Sequence, residues 1–143
     1  MLLQRRSLNK DSFPGCLDIA SAGHVEFGSN FLQTAKKELY EELGIDLDET
    51  KLKELFVQTV HVKSFFQGNV FDDKEVNTVY AAEHNCNVSS LKLQSCEVSQ
   101  VIWMSAEEIL KKLNSNDEEL CMNKAETEKA INIIINGTTD TRR

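Results

Sequence analysis

A short stretch of this sequence, residues 31–43, combines a regular apolar face with a row of glutamates, and it constrains the fold more than any other segment. Its apolar residues recur every four positions, which is the spacing of an amphipathic helix packed against a core. Ser29 or Asn30 can cap the start of this helix, and Gly44 stands where a C′ glycine belongs. The apolar face consists of Phe31, Ala35, Leu39 and Leu43, with Leu32 beside them.

Three glutamates of this helix, Glu38, Glu41 and Glu42, fall within an arc of about 100° on one side of it. Like charges at these spacings repel by roughly a few tenths of a kcal/mol per pair, and the helix dipole disfavours negative charge near the C-terminal end. A hard divalent cation would remove the repulsion, because Mg²⁺ prefers carboxylate oxygens and keeps water ligands for substrate phosphates. We therefore treat the three as candidate metal ligands, and a solvated acidic face stays open as the alternative.

The composition bounds the classes of partner. The chain has 143 residues, and 16 lysines and arginines against 23 aspartates and glutamates leave a net charge of −7. This length fits a single domain over residues 1–143, and 41% hydrophobic residues suffice for an ordinary core. The negative charge disfavours nucleic acid and anionic membranes, because both carry charge of the same sign. A small anionic substrate is compatible with it, since a bound divalent cation can reverse the sign locally.

The cysteines and the apolar runs indicate a compartment. The four cysteines form no CxxC pair, and their spacings suit neither a zinc site nor a small disulfide scaffold. The first residues lack the roughly 7–15-residue apolar run of a signal peptide, and no stretch approaches the roughly 20 apolar residues of a membrane span. We therefore expect a cytoplasmic protein with reduced thiols.

The rest of the sequence mixes strand and helix patterns without regular βαβ spacing, which predicts a mixed α/β class with a mixed sheet covered by helices. Ser105 opens a short helix to Leu113 through a capping-box pattern, and a last helix covers about residues 117–136 with Gly137 as its stop. Residues 65–74 are polar and predict a loop. The predicted strands are residues 1–4, 16–22, 55–62, 76–82 and 98–104.

Residues 23–45 resemble the Nudix box, the signature of the Nudix hydrolase superfamily. That box is a glycine, five residues, Glu, seven residues, Arg-Glu-apolar, one residue, Glu-Glu, one residue and Gly-apolar. Its spacing is kept throughout, with Ser29 in place of the first Glu and Lys37 in place of the Arg. The resemblance implies an α/β/α sandwich with a mixed sheet and a loop-helix-loop box. The matching residues are Gly23, Glu38, Leu39, Glu41, Glu42, Gly44 and Ile45.

The resemblance assigns roles to these residues. Glu38, Glu41 and Glu42 would hold Mg²⁺ or Mn²⁺ and serve catalysis, with the backbone carbonyl near Gly23 assisting. The metal would bridge a diphosphate and activate a water molecule for attack on phosphorus. Lys37 would pair with and orient a glutamate, less rigidly than the forked guanidinium of an arginine does.

The match extends ahead of the box, where the sequence resembles the branch of the superfamily related to isopentenyl-diphosphate isomerase. In that branch, residues matching Arg6 and Lys10 contact the diphosphate, which suits the fork of an arginine and the point charge of a lysine. His24 matches the metal histidine of the isomerase, although a lone loop histidine is more often a hydrogen-bonded scaffold residue. The alternative for Arg6 and Lys10 is that both are solvated basic residues.

Three functions follow from the resemblance. The first is metal-dependent hydrolysis of a diphosphate bond in a nucleoside diphosphate linked to another moiety, with Glu97 or Glu75 as candidate bases outside the box. Isomerase chemistry ranks below it, because Ala22 stands where the isomerase has its cysteine and proton transfer to carbon then lacks a partner. A catalytically weak nucleotide-binding module is the third. The expected partner is a small-molecule diphosphate.

The resemblance also predicts a missing element. Family members carry a strand ahead of the segment that matches residues 1–6, and this sequence lacks its counterpart. A sheet without that strand exposes an edge, which invites pairing with another chain. We therefore expect a homodimer or a marginally stable monomer.

Overall fold

The computed structural model describes residues 1–66 and 69–137, and within these ranges it contains five strands and three α-helices. The strands are β1 (Leu2–Arg6), β2 (Leu17–Ile19), β3 (Lys53–Phe66), β4 (Asn69–Ala81) and β5 (Val98–Trp103). The helices are α1 (Phe31–Leu43), α2 (Ala106–Asn114) and α3 (Lys124–Asn136).

The strands of the described residues form two sheets, which differs from the single mixed sheet expected. One sheet has the order β2-β1-β5, and the other is the β3-β4 hairpin. Every paired strand runs antiparallel, and parallel pairing among these residues is an isolated bridge between Leu17 and Leu120. Alternating apolar residues indicate a strand without encoding its direction, so the sequence predicted the strands but not this arrangement. The α/β class itself is confirmed.

The three-stranded sheet is covered on both faces, because successive residues of β1 point to opposite sides. Leu3 is fully buried in a cluster with Ile109 of α2 and Ile131 of α3. Leu2 packs instead against the second cluster, which holds Leu43 at the end of α1. The result is a helix-sheet-helix sandwich with α1 alone on one face and α2 and α3 on the other.

Helix α1 has the bounds that its sequence predicts, and the capping groups explain why. Asn30 is the N-cap: its side chain accepts a hydrogen bond from the Gln33 backbone N–H at 2.9 Å, and the Gln33 side chain accepts one from the Asn30 N–H at 3.2 Å. At the other end, Gly44 adopts a left-handed conformation with φ of 69° and donates to the carbonyl of Tyr40. A glycine takes this conformation without steric cost.

Two element predictions are wrong. The loop predicted for residues 65–74 is wrong where the structure describes it, since β3 extends to Phe66 and β4 begins at Asn69; residues 67 and 68 lie outside the described residues. Backbone pairing between the two strands holds this hairpin together. Polar side chains such as that of the exposed Lys74 can therefore lie within a strand. The last helix begins at Lys124 rather than near 117, because Asn123 is its N-cap and the acids before it bind elsewhere. Asp117 and Glu119 each accept a hydrogen bond at 2.9 Å from Lys112.

None of the described helices is long and apolar enough to cross a membrane.

Gly44→Ala should lower the free energy of unfolding by about 1–2 kcal/mol, the cost of a left-handed conformation for a residue with a Cβ. The added Cβ would also lie 2.9 Å from the Cβ of Lys92, so the segment that contains Lys92 must shift. Urea unfolding measures the effect. Gly137→Ala is the matched control, because Gly137 has a φ of −73° and its new Cβ meets Ile133 at an ordinary 3.6 Å. Equal destabilisation by both variants would contradict the role of the left-handed turn.

Candidate functional site

A cavity of about 1780 Å³ opens beside α1 and gathers most of the residues predicted to be functional. Its walls come from α1, from the loop that precedes α1, from β4 and from the loops around β1 and β5. Glu75, the second candidate base, also lines it. The predicted site residues in its lining are Arg6, Lys10, Gly23, His24, Glu38 and Glu97.

The other predicted residues lie on α1 and are not part of the cavity lining. Lys37 and Glu41 are exposed, whereas Glu42 is buried with only 6% of its surface accessible. Glu41 nevertheless lies close to Glu38, since its charge contributes to raising the pKa of Glu38. The three glutamates therefore share one side of the helix, as the spacing predicts, but they differ in contact with solvent.

Glu42 is fixed by contacts that the sequence did not indicate. The side chain of Gln4 in β1 donates from Nε2 to Glu42 Oε2 at 3.0 Å, and Gln4 is itself 6% exposed. The Gln94 backbone N–H donates to the Glu42 carbonyl at 2.9 Å, which ties the end of α1 to the segment before β5. That segment carries Glu97, so the same contacts bring the box helix and the candidate base together. The signal for Gln4 is a polar residue in the otherwise apolar start of β1.

Burial and neighbouring carboxylates raise the pKa of two glutamates in this region, Glu38 and Glu42. Burial raises the pKa of Glu42 to about 7, with Glu38 and Glu97 adding to it, while the hydrogen bond from Gln4 and the charge of Lys10 act in the opposite direction. Burial likewise raises the pKa of Glu38, followed by the charge of Glu41. Holding several such groups ionised together costs free energy unless a cation lies among them.

The loop before α1 packs directly on one of these carboxylates. A Cβ added at Gly23 would lie 2.3 Å from Glu38 Cδ, a distance that real Cβ atoms do not adopt. The backbone at Gly23 is therefore in immediate contact with the Glu38 side chain. This places the box glycine next to a box glutamate across fifteen positions of sequence.

The two predicted phosphate-binding cations are held by protein groups. Lys10 forms an ion pair with Glu97, and both side chains are partly exposed. Arg6 donates from Nε to the Ser12 carbonyl at 3.0 Å and from Nη2 to Ser12 Oγ at 3.1 Å, and its Nη1 lies 3.6 Å from Asp18 Oδ2. The positive charges thus lie at the cavity with carboxylate or hydroxyl partners that a phosphate can replace.

Lys37, the residue in place of the box arginine, pairs with a glutamate that lies outside the expected position. Its Nζ is 3.1 Å from Glu26 Oε1, three residues before Ser29. Glu26 is not among the predicted site residues, and its position in the same loop as the substituted Ser29 is the signal in the sequence that points to it. Both partners are largely exposed, so the pair contributes little stability by itself.

The candidate metal ligands are mainly oxygen atoms, which suit a hard divalent cation. Among the described residues, no three His, Cys, Asp or Glu side chains converge on one point as they lie. The charge of Glu38 nevertheless contributes to raising the pKa of Glu42, and the backbone at Gly23 lies against the Glu38 side chain. Oxygen ligands of this kind suit Mg²⁺ or Mn²⁺ rather than a thiolate-binding metal. His24 is exposed, and its loop position adds a nitrogen at the cavity.

Metal-free protein should lose stability as the pH rises from about 4.5 to above 7. Because the folded pKa of Glu42 lies above its ordinary 4.5, the folded state retains this proton more strongly, and the stabilisation present at low pH disappears once Glu42 ionises. The loss amounts to about 3 kcal/mol, since each pKa unit is worth about 1.4 kcal/mol.

Thermal unfolding in EDTA checks this dependence. Glu42→Gln keeps an oxygen acceptor for Gln4 and carries no charge, so its melting temperature should exceed that of the wild type at pH 8 and match it at pH 4.5. Glu118→Gln removes an exposed carboxylate far from α1 in sequence and is the matched control. A wild type and a Glu42→Gln variant with parallel pH profiles would contradict the assignment.

Sequence comparisons place this arrangement among known proteins. The protein-family model described as "NUDIX domain" matches residues 1–123 of this chain. "Nudix hydrolase 3" of Arabidopsis thaliana is 38% identical over 120 residues, which cover 82% of this chain and 15% of that protein. Uncharacterized Nudix hydrolases of Yersinia pestis and Escherichia coli K12 are each 34% identical over 110 residues, 76% of this chain and 53% of theirs. The chain thus spans about half the length of these bacterial relatives.

Solved structures agree on the fold. A C. elegans Ap4A hydrolase in a binary complex superposes with a TM-score of 0.59 at 19% identity, over 94% of this chain and 85% of that one. The Deinococcus radiodurans protein DR0079 gives 0.56 at 21% identity, over 80% and 64%. At these identities the likeness concerns the fold alone.

Proposed function

The chain belongs to the Nudix family, and on that premise we propose that it is a metal-dependent hydrolase of a diphosphate bond, in a nucleoside diphosphate linked to another moiety. The observation that carries the proposal is that Glu38, Glu97 and Lys10 line one cavity and that the charges of all three act on the buried Glu42. Mutually repelling carboxylates beside a lysine suit a bound cation together with an anionic substrate.

Each group has a role in this proposal. Glu38, Glu41 and Glu42 would hold Mg²⁺ or Mn²⁺ with the carbonyl near Gly23 and with His24 at the edge, and Lys37 would orient the loop through Glu26. The ion would supply charge neutralisation and a lower pKa for a bound water molecule. In hydrolysis, water oxygen forms a bond to phosphorus, the bridging P–O bond breaks, and the leaving phosphate keeps the electron pair.

The two basic side chains and the candidate general base act on the same substrate in this proposal. Lys10 and Arg6 turn from Glu97, Ser12 and Asp18 to the phosphate oxygens, which replace those acceptors. Glu97, released from Lys10, then accepts the proton of the attacking water, because a free carboxylate is the better base. Glu75 is the second candidate for this task. The C. elegans structural neighbour is an Ap4A hydrolase, which supports the nucleotide part of the proposed substrate.

A nucleotide-binding module without turnover is the second candidate, and one observation favours it. Arg6 and Lys10 are already engaged with protein partners, and the box carries Ser29 and Lys37 in place of its usual Glu and Arg. The kinship to the isomerase branch and a cytoplasmic location stay predictions. The four cysteines are unpaired, as a reducing compartment would keep them.

Glu41→Gln should lower kcat/KM for a cleaved nucleotide by about 100-fold, because it removes a carboxylate from the proposed metal site. A panel of dinucleoside polyphosphates and nucleoside diphosphate conjugates, assayed with Mg²⁺ and with Mn²⁺ for released mononucleotide, provides the measurement. Glu118→Gln is the matched control and should retain wild-type turnover.

The other outcomes separate the alternatives. Metal and nucleotide binding without turnover would establish the binding module. Conversion of isopentenyl to dimethylallyl diphosphate would establish the isomerase. Equal activity in EDTA and in Mg²⁺ would contradict the metal-dependent reaction.

We also propose that the chain forms a homodimer through the outer edge of β4 in its hairpin. Within the described residues, β3 and β4 pair with each other and with no further strand, so edge backbone groups face away from the hairpin. Val76 on β4 is 54% exposed, which leaves apolar surface beside that edge.

Light scattering after size exclusion should give twice the monomer mass at micromolar concentration. Val76→Lys places a charge at the β4 edge and should shift the chain toward monomer, whereas Val57→Lys, at a similarly exposed position of β3, is the matched control. A monomeric wild type over this range would contradict the proposal.

A further inference from the structure

Gln4 is a buried amide that follows two apolar residues of its strand. It follows Leu2 and Leu3 in the central strand of the β2-β1-β5 sheet and is 6% exposed. A buried amide without a hydrogen-bond partner is unfavourable, so its place in a core needs a partner with matching geometry. The hydrogen-bond partner of the Gln4 amide therefore indicates the role of this side chain.

That partner is the carboxylate of Glu42, itself 6% exposed. Gln4 Nε2 donates to Glu42 Oε2 at 3.0 Å, a contact that joins β1 to the last turn of α1 across 38 positions of sequence. The Gln94 backbone N–H holds the Glu42 carbonyl at 2.9 Å, so both the main chain and the side chain of Glu42 are fixed from outside its helix. A long side chain with several rotamers is thereby held in one of them.

The two oxygens of this carboxylate have different surroundings. Oε2 accepts the hydrogen bond from Gln4, whereas Oε1 accepts none from the part of the chain that the structure describes. An amide that donates to one oxygen leaves the other free for a cation. A lysine or arginine at the same place would neutralise the carboxylate and compete with a metal ion, whereas an uncharged donor orients it without doing so.

We propose that Gln4 is a positioning residue, which holds the Glu42 side chain so that its free oxygen is available to the metal ion. The inference rests on the proposed function, because it assumes that Glu42 is a metal ligand. Gln4 contacts neither substrate nor reacting atoms and acts through Glu42 alone. Such supporting hydrogen bonds typically contribute about 10- to 100-fold to metal affinity.

The test measures Mn²⁺ binding by electron paramagnetic resonance in the absence of substrate. Gln4→Met keeps the length of the side chain and removes the donor, so the dissociation constant for Mn²⁺ should rise about 10-fold. Gln100→Met makes the same change on the neighbouring strand, where Gln100 contacts Arg5 rather than the site, and should leave the constant unchanged. Gln4→Asn keeps an amide with a shorter reach and should weaken binding as well, which provides a second variant if Gln4→Met fails to fold.

A double-mutant cycle distinguishes positioning from general stability. Once Glu42→Gln has removed the ligand, adding Gln4→Met should weaken Mn²⁺ binding no further. A lower unfolding midpoint of Gln4→Met with unchanged Mn²⁺ affinity would overturn the positioning role and leave the proposed function standing. Wild-type protein that binds no Mn²⁺ would instead overturn the proposed function, and the role of Gln4 with it.

Discussion

The burial of an ionisable carboxylate, Glu42, where the last turn of α1 meets β1, is the constraint on which the candidate site depends. Burial raises its pKa to about 7, and the fold accommodates it with the amide of Gln4 rather than with an opposite charge. The same docking brings the segment before β5 against the helix through Gln94. The helix, the central strand and the loop that carries Glu97 are therefore positioned relative to one another by contacts at one residue.

The local elements were the most predictable part of the structure. The four-residue apolar repeat and its flanking residues gave α1 with correct bounds, because capping by Asn30 and termination at Gly44 depend on neighbouring residues alone. Ser105 gave the start of α2 for the same reason. Where an alternative partner lay farther along the chain, prediction was wrong: Lys112 binds Asp117 and Glu119, which the sequence placed in the first turn of the last helix.

The side of α1 on which the three glutamates lie was predictable, but the contacts of the candidate site were not. The spacing of Glu38, Glu41 and Glu42 fixes their positions on the helix, because helix geometry depends on sequence separation alone. Partner choice depends on distances in the folded chain, so Lys10 with Glu97 and Lys37 with Glu26 emerged only from the structure. Sheet organisation is non-local as well, since whether two strands pair depends on backbone groups that every residue possesses.

The separation of the β3-β4 hairpin from the three-stranded sheet has a consequence for local unfolding of the molecule. Strands β3 and β4 satisfy each other's backbone groups over thirteen or more residues. The sheet β2-β1-β5, by contrast, joins β1 at residues 2–6 to β5 at residues 98–103. Amide hydrogens of the two sheets therefore belong to different cooperative units, and local opening of the hairpin exposes its amides to exchange while the strands beneath α1 stay protected.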